Sequence, residues 1–119
     1  MIADSDKKNL DQLALLFREK YGITPLLWEN EQTFQEFIRQ PEGGAVFVRI
    51  GNVRTKSLVL SSLAMEFSPT VQLVWMADSD AYALDAFAHG ADAYLLLPAD
   101  ENNLGEVVAS LISKQNKSK

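Results

Sequence analysis

The chain contains no cysteine and only one histidine, His89. The first absence removes disulfides, thiolate nucleophiles and cysteine zinc sites together. It suits a reducing compartment, and a cytoplasmic protein is the expectation. The second leaves a single imidazole. His89 is expected at a helix end just before Gly90, as a surface or capping residue, so a Ser-His-Asp arrangement has no base to draw on. Neither GxGxxG nor GxxxxGK[ST] occurs, which removes the common nucleotide-phosphate loops. No apolar run approaches the roughly 20 residues that span a bilayer. The opening Met1-Ile2-Ala3-Asp4 lacks the basic-then-apolar pattern of a signal peptide. Lys and Arg are also in short supply, 11 against 16 acidic residues, for a net charge of −5. Phosphate backbones attract clustered cations, so this balance argues against nucleic acid as a partner of this chain alone.

What is present is a globular composition. The 119 residues fit one domain, 1–119, with 47% hydrophobic and 23% charged residues. Strand and helix patterns alternate along it. Met1-Ile2-Ala3 reads as a short strand, followed by Asp4-Ser5-Asp6 as capping oxygens. Leu10, Leu13, Ala14 and Phe17 then repeat at helical spacing, with Gly22 as the terminating residue. Thr24 to Trp28 reads as a second strand, placed at a sheet edge because Pro25 has no donor. Phe34, Phe37 and Ile38 mark a second helix. Ala45 to Val48 is an apolar run suited to a strand buried on both faces. Leu60, Leu63, Ala64 and Phe67 mark a third helix, and Val71 to Met76 a fourth strand. Asp78-Ser79-Asp80 caps a helix over about 81–89, Ala93 to Leu97 is a fifth strand, and Leu104, Val107, Val108, Leu111 and Ile112 mark a fifth helix. The final residues, 114–119, read as a flexible basic tail. Five strand–helix units predict a doubly wound, flavodoxin-like, three-layer α/β/α domain with a five-stranded parallel sheet in the order 2-1-3-4-5.

In such a sheet, ligands bind beyond the C-terminal strand ends. Those positions are Asp4, Ser5 and Asp6; Glu29 and Asn30; Arg49 to Gly51; Ala77 and Asp78; and Leu97 and Pro98. Asp4 and Asp6 could hold a hard cation through oxygen. Arg49 should point into the same pocket, where its fixed charge opposes a cation and pairs with Asp4 instead. Neither metal nor cofactor is therefore expected.

The segment from Val71 to Pro98 resembles the second half of response-regulator receiver domains, most closely those of LytTR-type regulators. It shares an apolar strand, a helix with an Ala-x-x-Ala-Phe core, Gly-Ala, an aromatic strand and a closing proline. From Met1 to Thr70 the resemblance lies in element order. Receivers accept a phosphoryl group on an aspartate ending the third strand, bind Mg²⁺ through an acidic pair after the first, and use a Thr or Ser and a Lys at the ends of the fourth and fifth. On that pattern Arg49 stands at the acceptor position, Ala77 at the hydroxyl and Leu97 at the Lys. Asp4 remains of the acidic pair with Ser5 beside it, and Pro98 and the switch aromatic Tyr94 are kept. The resemblance therefore implies a degenerate receiver with no catalytic residue.

Such a domain would act in signal transduction or transcriptional regulation by contacting a protein partner or a second copy. The resemblance places the contact on the face of the fourth helix, fifth strand and fifth helix, around Tyr82, Asp85, His89, Tyr94 and Glu106. Tyr82 is the expected exposed anchor, since aromatics dominate interface hot spots. Two alternatives stand beside this. One is a small-ligand-binding or enzymatic domain using Asp4, Asp6, Arg49 and Asp78. The other is the regulatory fragment of a longer DNA-binding regulator.

Overall fold

The computed structural model describes residues 1–4, 7–27, 32, 36–37, 44–50 and 71–117. Ser5 and Asp6, the strand-end residues Glu29 and Asn30, Gly51, most of the predicted second helix and all of the third lie outside these.

The strands are β1 (Ile2–Ala3), β2 (Gly44–Arg49), β3 (Val71–Ala77) and β4 (Ala93–Leu96). Three α-helices have described bounds, α1 (Lys7–Tyr21), α2 (Ala83–Ala88) and α3 (Glu101–Lys117), and Gln32, Glu36 and Phe37 are helical as well. All strand pairs are parallel, in the spatial order β1-β2-β3-β4. Ile2 lies opposite Phe47, Val48 opposite Trp75, and Trp75 opposite Tyr94.

This corrects the expected five-stranded sheet in the order 2-1-3-4-5. Of the segment predicted as the second strand, 24–28, the described residues 24–27 contribute one isolated bridge, Leu27 to Ile2, and a hydrogen bond from the Ile2 amide to the Leu26 carbonyl at 2.9 Å. Pro25 has no N–H to donate, and the neighbouring β1 is only two residues long, so no ladder propagates there. The fold is a small α/β domain with four strands among the described residues.

The apolar runs form strands buried on both faces, and the period of two sorts their side chains. Ile2, Phe47, Val74, Met76 and Leu95 face α1 and α3, where Leu13, Phe17, Leu104, Val107 and Leu111 complete one core cluster. Val46, Val48, Leu73 and Trp75 face the other way, with Ala86 of α2, Ala91 and the half-buried Phe37, Tyr82 and Tyr94 packed against them.

The helix ends follow local chemistry. Gly22 ends α1 at φ 64°, donating to the Arg18 carbonyl at 3.1 Å. The helix expected over 81–89 is split into a 3₁₀ turn over Asp80–Tyr82 and the shorter α2. Ser79 caps the turn by accepting from the Ala81 amide. Asp100 and Asn103 cap α3 reciprocally. The Asn103 amide donates to Asp100 Oδ1 at 2.8 Å, and the Asp100 amide to Asn103 Oδ1 at 2.7 Å. α3 continues through Lys117, into the segment expected as a tail. No helix among the described residues is long and apolar enough to cross a membrane.

Candidate functional site

The C-terminal ends of β1, β2 and β3 bring Asp4, Arg49 and Asp78 together. The Asp4 side chain is 1% exposed. A carboxylate so removed from water needs compensating donors. Asn9 Nδ2, on the first turn of α1, donates to Asp4 Oδ2 at 2.6 Å. Arg49 Nη1 lies 3.4 Å from the same oxygen, and Arg49 Nη2 lies 4.0 Å from Asp78 Oδ2. The guanidinium therefore bridges a buried and an exposed carboxylate. Ala77 is fully buried and Leu97 is 6% exposed, so both add apolar wall. The Leu97–Pro98 peptide bond is cis. Lys8, Asn9, Gln12, Arg49, Asp78 and the Leu97-Pro98 pair line a shallow cleft of about 210 Å³.

The chemistry open to this arrangement is limited. Arg offers donors and a fixed charge but no nucleophilic atom, and the carboxylates nearest to it already receive its nitrogens. Among the described residues, no group of three or more His, Asp or Glu stands close enough to hold a metal ion. Of the set Asp4, Asp6, Arg49 and Asp78, the structure joins three, and Asp6 lies outside the described residues.

The second region comprises α2, β4 and α3. Tyr94 is half-buried on β4, and its hydroxyl donates to the Ser79 carbonyl. Burial, followed by the nearby Asp80 carboxylate, raises its phenol above the usual tyrosine range. His89 is exposed at the end of α2, and its ring stacks on the fully buried Trp75 at 5.7 Å between centroids. Glu106 is exposed on α3, while Asp85 is only partly exposed. Tyr82 departs from expectation: it is half-buried against the cluster around Trp75. The exposed large apolar side chains here are Leu84 at 87%, Phe87 at 54%, Ile112 at 53% and Leu96 at 45%.

Phe87, Tyr94, Leu96, Glu106 and Val107 contribute to a groove of about 440 Å³ between α2 and α3 over β4. Its polar ends are tied down. Asn103 Nδ2 donates to the Leu96 carbonyl at 2.7 Å, and Lys114 Nζ donates to the Asp92 carbonyl. Sequence reasoning missed Leu84, Phe87, Leu96, Asn103 and Lys114. The i, i+3 spacing of Leu84 and Phe87 was a usable signal, since it sets both on one side of a helix whose buried residue is Ala86.

No family model matches the chain, and no curated protein does. Among solved structures, the chain is similar to one from Burkholderia pseudomallei K96243 described as pilus assembly-related. The TM-score is 0.73 and the identity 16%, covering 91% of this chain and 84% of that one. At that identity the likeness concerns the fold alone.

Proposed function

We propose that this chain is a receiver-like domain that cannot be phosphorylated and that works in the cytoplasm by protein contact, in signal transduction or transcriptional regulation, without catalysing a reaction. The observation that carries this is Arg49. On the sequence resemblance it falls where a receiver has its acceptor carboxylate, and in the structure it bridges Asp4 and Asp78. An acyl phosphate needs a carboxylate at that position, and a guanidinium cannot replace it. Leu97 and Ala77 accord with the same loss, because a pocket without phosphate gains more from buried apolar surface than from a Lys or a hydroxyl. The exposed Leu84, Phe87 and Leu96 supply a surface for contact on α2 and β4. A role in pilus assembly, the one named for the neighbour of like fold, would also be met by an interaction module, and the identity of the partner would separate the two.

The test is an amide NMR spectrum titrated with Mg²⁺ and then with beryllofluoride, which mimics an aspartyl phosphate. The expected result is no saturable shift at Asp4, Arg49 or Leu97. Saturable shifts there would show that the pocket binds ligand, and would overturn this function.

A further inference from the structure

In the strand order, β1 and β4 stand at opposite ends. Near β1, α1 turns Asn9, Leu13 and Phe17 inward, which sends Asp11, Leu15 and Arg18 outward at i, i+4 and i+7. Beside this helix face runs the segment 23–27, which meets β1 through the bridge from Leu27 to Ile2. Leu15 is 49% exposed, Ile23 52% and Leu26 53%. A groove of about 350 Å³ lies between helix and segment, with Ala14 and Leu15 on one wall, Pro25 and Leu27 on the other, and Asp11 and Arg18 along it. Large apolar side chains gathered at a surface in this way mark a contact site. The two charges are seven helical residues apart, about 10 Å along the axis, too far to pair within one copy. Among the described residues, neither has an ion-pair partner.

We infer that this face binds a second copy of the chain, with α1 of each copy antiparallel to α1 of the other about a two-fold axis. An isologous interface makes each contact twice. An axis passing between positions 14 and 15 sets Asp11 of each copy against the Arg18 of the other. The same axis sets the small Ala14 against the larger Leu15, which lets two helices approach closely. Charge complementarity selects this occupant. The charged residues lining the groove are one anion and one cation, placed evenly about an apolar centre. Such a surface complements its own image better than a partner whose charge has a single sign. Strand addition at this edge is disfavoured, because Pro25 has no N–H to donate. The surface is separate from the one on α2 and β4, so the inference goes beyond the function proposed above.

The test uses the full chain. Sedimentation equilibrium between micromolar and millimolar concentration should show a monomer–dimer equilibrium that weakens as salt rises. Amide NMR shifts that grow with concentration should centre on Ala14, Leu15 and Leu27. Asp11→Arg alone brings two guanidinium groups together at each end of the interface, and Arg18→Asp alone brings two carboxylates together. Each should raise the dimer Kd about tenfold or more. The two single variants mixed should form a heterodimer with a Kd near that of the parent, because each then supplies the charge that the other lacks. The double variant Asp11→Arg/Arg18→Asp should recover self-association as well. Neither recovery is open to variants that fail to fold. A monomer over the whole range, a dimer indifferent to the charge variants, or single variants that stay monomeric when mixed would overturn the inference. A dimer whose shifts centre on Phe87 and Leu96 would overturn it in favour of the face on α2 and β4.

Discussion

At the scale of single residues, two side chains hold more than their size suggests. Arg49 is the cation facing the buried Asp4 carboxylate in the strand-end cleft, and Asn9 is the neutral donor beside it. Arg49→Ala leaves that carboxylate with less compensation, so the variant should lose about 1–3 kcal/mol, read from urea or thermal unfolding. An unchanged melting temperature would mean that the pair contributes nothing. Tyr94 acts on the other side of the sheet, where its hydroxyl donates to the Ser79 carbonyl. Tyr94→Phe removes that hydroxyl and should cost on the order of 1 kcal/mol at neutral pH. The folded-state pKa of Tyr94 is raised, chiefly by burial. The native protein therefore holds this proton more tightly than the unfolded chain does. That contribution is complete below the ordinary phenol value of about 10 and is lost as pH rises through the folded value. The stability of the parent chain should accordingly fall more steeply in alkali than that of Tyr94→Phe. Parallel alkaline limbs in the two would refute the assignment.

At the scale of elements, two glycines in regular structure should respond in opposite directions. Gly44 opens β2 at φ 142°, and a Cβ added there would meet Phe37 Cζ at 3.0 Å. Gly44→Ala should cost about 1–3 kcal/mol, through backbone strain and the displaced ring. Gly105 lies inside α3, where an added Cβ meets only Tyr21 Oη, at 4.0 Å. Gly105→Ala should gain about 0.5–1 kcal/mol from helix propensity. Paired denaturant melts of the two variants check both signs at once. Elements are also where sequence and structure part. Gly22, Ser79 and the apolar runs at 45–48 and 71–76 mark element boundaries through short-range chemistry, and the chain reads correctly there. The described residues 24–27 do not, because their β character depends on the length of the strand beside them. β1 supplies two residues, and Pro25 removes a donor. The split of 80–88 into a 3₁₀ turn and a short helix was equally hidden, since helical periodicity does not distinguish the two over so few residues. In the candidate site, the Asp4–Arg49 juxtaposition follows from strand-end position and charge alone. The exposure of Leu84 and Phe87 depends on the rotational phase of α2, which its own six residues do not fix, and the burial of Tyr82 on the 3₁₀ turn before it.

At the scale of the whole molecule, the sheet makes the two cores one. Consecutive residues of the same strand serve opposite faces: Phe47 and Val74 pack toward α1 and α3, while Val48 and Trp75 pack toward α2. Neither face can lose its packing without releasing strands that the other needs, so the chain should unfold as a single cooperative unit. Trp75, fully buried, reports on the α2 face. In a Trp28→Phe background its fluorescence can be followed beside far-ultraviolet circular dichroism, to which α1 and α3 contribute. Leu13 belongs to the cluster under α1 and Leu73 to the cluster under α2, and both are buried. Leu13→Ala and Leu73→Ala should each cost about 2–5 kcal/mol as cavity-forming truncations. The informative variant is Leu13→Ala, because its defect lies across the sheet from the reporter. If the cores are coupled through β2 and β3, the Trp75 transition moves by as much as the dichroism transition. If the Trp75 transition stays in place while the dichroism midpoint falls, the two faces melt separately and the sheet does not join them.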